Sequence, residues 1–218
     1  MSDEASARPG NLILVPAVIT LAVTLLRLVG ELQGWSPRLF SKEAGGGGAL
    51  VGISWLVLVF GAWFGWKLAK SGQGPGAIGR AIGLTILAIA ILPALGLAAN
   101  ALGMSQESLS TFAVYVVGAI VGLVLGLRAW PALGRTLLAY AFAARVPVVL
   151  VMLAAILGHW GTHYDAAPPG LPAMAPLSKW LLIGVLPQMT IWIWFTVAVG
   201  SLFGILAAAV ARRGRAAA

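Results

Sequence analysis

Six long apolar runs, separated by short segments rich in glycine, proline and polar residues, set the pattern of this chain. The runs are continuous. They do not alternate over about ten residues, as strands of a membrane barrel do. Backbone polar groups in hydrocarbon must be satisfied within the segment that crosses, and helices do this. The pattern therefore predicts an all-α integral membrane protein. Its expected form is a single six-helix transmembrane bundle over 12–211, with helices over 12–29, 49–66, 81–99, 109–127, 136–158 and 188–210.

The last run needs a division. Residues 180–211 carry no charge over 32 positions, and a helix of that length would reach about 48 Å, against ~30 Å of hydrocarbon. Pro187 is the natural break. Residues 178–186 are expected to lie along the interface as a short helix before the last crossing, which places Trp192 and Trp194 near the headgroups. Pro93 is expected to kink the third helix. Gly118, Gly122 and Gly126 form a row on the fourth that lets another backbone come close.

Composition agrees with this picture. The chain is 60% hydrophobic and 9% charged, with a mean hydropathy of +0.97. There is no cysteine, which excludes thiolate metal sites, iron–sulfur clusters and covalent haem attachment. The net charge of +8 reads as membrane orientation, and no nucleic-acid partner is expected. With both termini inside, nine Lys and Arg residues fall on the inner side and four on the outer, while Arg145 is the fourteenth and lies within the membrane. That bias favours an N-in, C-in arrangement, with residues 1–11 and the basic segment 212–218 as cytoplasmic tails. The opening MSDEASARPGN, of mixed charge and with no small-residue cleavage site after the first run, is expected to be a tail rather than a secretory signal. The expected location is the inner (cytoplasmic) membrane, as a multi-pass protein.

Arg145 is the position that most needs an explanation. It lies ten residues past Arg135, about 15 Å along a helix, too deep for easy snorkelling. An unpaired cation there costs ~2.5 kcal/mol or more on insertion scales. No acidic residue falls in any expected helix core. Tyr140, Asn100, backbone carbonyls, a dipping carboxylate, water or a bound anion are the candidate partners. Pro147 leaves the carbonyl of Ala143 without its helical donor.

A second cluster, His159-Trp160-Gly161-Thr162-His163-Tyr164-Asp165, follows the same run. Two histidines four apart could share a metal on a helix, but Gly158, Gly161 and the following prolines end the helix here. No metal or cofactor is expected. Arg27 has Glu31 four residues on, a spacing that pairs them on one helical face. Two motifs are set aside. The run Gly45–Gly48 lacks the Gly-Lys-Ser/Thr ending of a phosphate loop, and the G-x-G-x-x-G at 74–79 follows a membrane helix rather than a strand.

The resulting expectation is an outward-facing, partly polar cavity centred on Arg145. Tyr140, Glu31, His159, His163, Tyr164 and Asp165 are its other ligand-binding candidates, and its occupant is a small anionic or lipid-like molecule that the protein binds or passes. An accessory or assembly subunit of a membrane complex is the alternative, partnered by another membrane protein or a second copy. An enzyme with a His/carboxylate site on the outer face ranks last, because two histidines and six acids leave few acid–base groups. Membrane lipids are partners in every case.

Overall fold

A computed structural model describes residues 9–47, 49–105 and 108–216. The expected tail over 1–8, Glu107, and the side chains of Arg213 and Arg215 lie outside the described residues. Among those residues the structure is helical throughout, with no strand. The long helices are α1 (Pro9–Leu32), α2 (Leu56–Lys70), α3 (Ile78–Ala101), α4 (Leu109–Ala129) and α5 (Pro131–Gly158). The short α6 (Pro176–Lys179), a π-helical turn (Trp180–Val185), α7 (Leu186–Met189) and the long α8 (Ile191–Ala216) complete the chain.

By length and composition five helical segments can cross a membrane: Leu12–Leu32, Ile78–Ala101, Leu109–Ala129, Pro131–Gly158 and Pro176–Arg212. The α2 helix is shorter, at 15 residues, or about 22 Å at 1.5 Å per residue. Its start is the largest departure from the sequence reading, which placed it at residue 49. Residues 49–55 are not helical. The amides of Leu50 and Val51 donate instead to the carbonyls of Arg38 and Leu39, at 3.1 Å each. Gly52, Ile53 and Ser54 then line an internal cavity. Irregular backbone at membrane depth is tolerated where it lines such a space, and hydropathy alone does not distinguish it from helix.

Glycines set the closest helix contacts. On α2, a Cβ at Gly61 would come within 2.5 Å of the Gly200 carbonyl oxygen on α8, and Gly65 meets Gly204 in the same way. Two glycines four apart on each helix let the backbones touch. The row on α4 is also filled from inside: Gly118 meets Leu95, Gly122 meets the Trp194 ring and Gly126 meets Val197. Tyr140 sits at the centre, edge-on to Phe60 and Phe64, with its hydroxyl 2.8 Å from Thr20 Oγ1.

Pro93 does not interrupt α3. Pro187 has a clearer effect. It removes the amide that Ile183 would use, and the chain widens to π geometry just before it. The path then breaks at Thr190, which has φ −119° and ψ −76°. The expected division of 180–211 thus falls three residues late. The two tryptophans expected near the headgroups both have partners inside the protein. Trp194 is buried, and its indole N–H donates to the Ala88 carbonyl at 2.7 Å. Trp192 lies under Arg145.

At the opposite end of the bundle, Trp130 Nε1 donates to the Gln73 carbonyl at 2.8 Å and the Arg212 guanidinium donates to the Pro75 carbonyl. These bonds tie the 71–77 connection to the end of α8 and the α4–α5 corner. The glycines over 74–79 serve this turn, between two helices.

Candidate functional site

Helices α1 and α5 run side by side, and the Thr20–Tyr140 contact fixes their register. Both lead to the end of the bundle that carries the two long loops. Between them, and closed by α7, the start of α8 and the two loops, lies a cavity of about 780 Å³. That is within the usual size range of small-molecule sites. Most of its wall surface is apolar, with Val148, Met152 and Ile183 among the residues that supply it.

Arg145 is in this wall and is only 3% exposed. Its one hydrogen bond to a described residue runs from Nη1 to Gln188 Oε1, at 3.3 Å. Its guanidinium carbon lies 4.5 Å from the centre of the Trp192 ring. Nε is buried and has no partner among the described residues. The carbonyl ties expected from the sequence are not made. Tyr140 is engaged with Thr20, and Asn100 is exposed at the end of α3. A neutral amide and an aromatic face thus stand where a counter-charge is needed. Cation–π contact of this kind is worth about 0.5–2 kcal/mol, less than burying a cation costs.

A second polar group adjoins the first. Glu31 is fully buried at the end of α1. Its Oε1 accepts from Arg27 Nε at 2.8 Å and pairs with His163 Nδ1 at 2.5 Å, while its Oε2 accepts from the His163 backbone amide at 2.8 Å. Arg27 also donates from Nη2 to the carbonyls of Ser41 and Gly46, at 3.1 and 3.2 Å. The i, i+4 pair read from the sequence is present, and it anchors the glycine-rich loop as well. Gly46, with φ +73°, sits where a side chain would meet both Arg27 and His163, so only glycine fits that conformation and that space.

The histidine pair separates. His163 and Tyr164 join the cavity wall, and Tyr164 donates its hydroxyl to the Thr24 carbonyl at 3.1 Å. His159 is exposed at the C-terminus of α5, in a left-handed conformation with φ 51°. Asp165 turns back on its own loop, where it accepts from the Gly161 and Thr162 amides at 3.0 and 2.7 Å and from Thr162 Oγ1 at 2.8 Å. It shapes the turn that presents His163. Glu43 is exposed. The convergence of both histidines on one carboxylate, required by the metal and enzyme readings, is therefore not made.

Three groups outside the membrane-spanning segments have displaced acidities. Burial, helped by the Arg27 charge, holds His163 below the usual histidine value despite its bond to Glu31. Burial pushes the Tyr164 phenol up, so it remains a donor. Burial would raise Asp165, but the bonds from Thr162 and Gly161 outweigh it and hold the carboxyl low.

Sequence reasoning singled out Arg145, His163 and Tyr164, which the structure brings to one cavity, and Glu31, which lies behind its wall bonded to His163 and Arg27. It missed Gln188 and Trp192 as partners of Arg145, and treated Arg27 as a local pair only. Gln188 had a signal, since an amide inside a 32-residue uncharged run costs about 2–7 kcal/mol to bury unless bonded.

The fold and cavity define a multi-pass helical membrane protein with an internal, partly polar chamber. Comparison of the chain with protein-family models, with curated proteins and with solved structures gave no match.

Proposed function

We propose that this protein binds, and in doing so carries or presents, a small anionic amphiphile in the chamber centred on Arg145. The observation that carries the reading is the buried Nε of Arg145, without a partner among the described residues, in the wall of a mostly apolar cavity. Arg27 is paired with Glu31, which already receives three bonds, while Arg145 has no carboxylate partner among the described residues. Among the described residues the chamber thus has an unmatched positive charge, and its apolar wall fits an alkyl chain.

The proposed setting is the inner membrane, crossed six times. In it α2 and the irregular 49–55 segment together complete the second crossing, and α6, the π-helical turn and α7 lie toward the outer interface. Lys67, Lys70, Arg80, Arg128, Arg135 and Arg212 mark the ends tied together by the Trp130 and Arg212 bonds, which favours the cytoplasm for that end. The chamber would then face outward. The glycine row on α4 is filled within this chain, so an assembly role has to use other surfaces.

The test is thermal stabilisation of the purified protein by hexanoate and hexyl phosphate, against hexanol at the same concentration. Stabilisation by the anions alone, lost in Arg145→Ala, supports the reading. Equal effects of hexanol and the anions, or an unchanged response in the variant, overturns it.

A further inference from the structure

The charges around the chamber specify the occupant further, on the basis of the binding role just proposed. Thr20 lies against Tyr140. Arg27 is seven residues beyond Thr20 and Arg145 five beyond Tyr140, on helices that run the same way. At 1.5 Å per residue the two arginines therefore differ in depth by only about 3 Å. His163 enters at the same end, held against Glu31 by two bonds.

Its ring is oriented by that carboxylate. With Nδ1 on Glu31, Nε2 is the nitrogen left for the chamber, and it bonds to no described residue. In the neutral ring Nε2 is an acceptor; after gaining a proton it is a donor. The charged groups facing His163 are Arg27 and Glu31 from α1 and Asp165 and the Tyr164 hydroxyl from its own loop. The loop that carries Gly46 brings Lys42 and Glu43, both exposed. Arg145 lines the same cavity.

Among the described residues, Arg27 and Arg145 in the wall and Glu31 behind it leave one excess positive charge while His163 is neutral, and two once it is protonated. A phosphomonoester is close to a dianion at pH 7.5, since its second ionisation lies near 6, and it offers three terminal oxygens. A carboxylate or phosphodiester carries one charge. We propose that the chamber selects an amphiphile with a phosphomonoester head, bound between Arg145 and Arg27, with His163 taking up a proton on binding to supply a third donor from Nε2. Glu31 is a positioning residue in this scheme, since it fixes the ring without reaching the ligand. The proton comes from solvent and returns to it on release.

The experiment is isothermal titration of the protein in neutral-lipid nanodiscs at pH 7.5, in two buffers of different ionisation enthalpy. The probes are hexyl phosphate, its methyl ester (one charge fewer), hexanoate and inorganic phosphate. Hexyl phosphate should bind at least about tenfold tighter than the methyl ester, the worth of one charge-assisted hydrogen bond, with close to one proton taken up. His163→Asn keeps a donor toward Glu31 and removes Nε2. It should abolish the proton uptake and the preference, while binding of the methyl ester persists. Equal affinity for the two esters, or absence of proton uptake, overturns the proposal but leaves the anion-binding role standing. Inorganic phosphate binding as tightly as hexyl phosphate removes the amphiphile from it. No binding of any probe overturns both.

Discussion

Glu31→Gln separates an ion pair that builds the site from one that merely decorates it. The carboxylate has no exposure and receives three donors, two on Oε1 and one on Oε2. A glutamine has one acceptor oxygen. Whichever way it turns, its NH₂ group faces either the His163 amide or the Arg27 and His163 side chains, so donor meets donor. Breaking one partner out of a buried pair costs about 3–5 kcal/mol. Arg27 keeps the Ser41 and Gly46 carbonyls and borders the chamber, which offsets part of that. The expected loss is ~2–4 kcal/mol. Equilibrium unfolding in mixed detergent reads it, with Glu43→Gln as the exposed control, expected within about 0.5 kcal/mol of the parent. Replacing both Arg27 and Glu31 with Met should recover part of the loss, because neither charge is then left alone. A Glu31→Gln shift no larger than the control would refute the claim that this cluster holds the loop and His163 in place.

The pH dependence of stability follows from His163. Its folded value lies below the unfolded one, so the unfolded chain binds the extra proton first. Stability should be full above about pH 6.5 and fall as pH drops below it, by at most about 1.4 kcal/mol per unit. His163→Asn should remove that slope; an unchanged slope assigns it elsewhere. Asp165 acts in the same direction, but only as pH falls below about 3.9. Among the glycines, Gly65→Leu should prevent normal packing of α2 on α8, because the Gly204 backbone occupies the space. Gly83→Ala, with nothing near its added methyl, should be neutral or stabilising by up to about 1 kcal/mol; thermal melts that rank the two the other way contradict the packing. Because the chain has no cysteine, Gln73→Cys and Gly170→Cys report orientation directly. In intact cells an impermeant maleimide should label only the second.

The helices were legible because their apolar runs are long and uncharged. Their ends were less so, and the reasons are local. Residues 49–55 read as the start of a helix because hydropathy measures apolarity and not hydrogen bonding, and their amides are satisfied by Arg38 and Leu39. The glycine pairs on α2 and α8 were as visible as the row on α4, but only the row was read as a packing face. Arg145 stood out as a buried cation. Its partners did not, because Gln188 lies 43 positions away along the chain and reaches Arg145 only through the break at Thr190. The separation of His159 from His163 follows two left-handed residues after α5, His159 and Gly161, which i, i+4 spacing cannot anticipate.

The most direct test of the central claim is native mass spectrometry of the protein released from gently solubilised membranes. The account predicts a discrete adduct of an anionic amphiphile on the parent protein and its loss in Arg145→Ala at unchanged expression. Parent protein that carries no adduct, or an adduct that persists in Arg145→Ala, would contradict it.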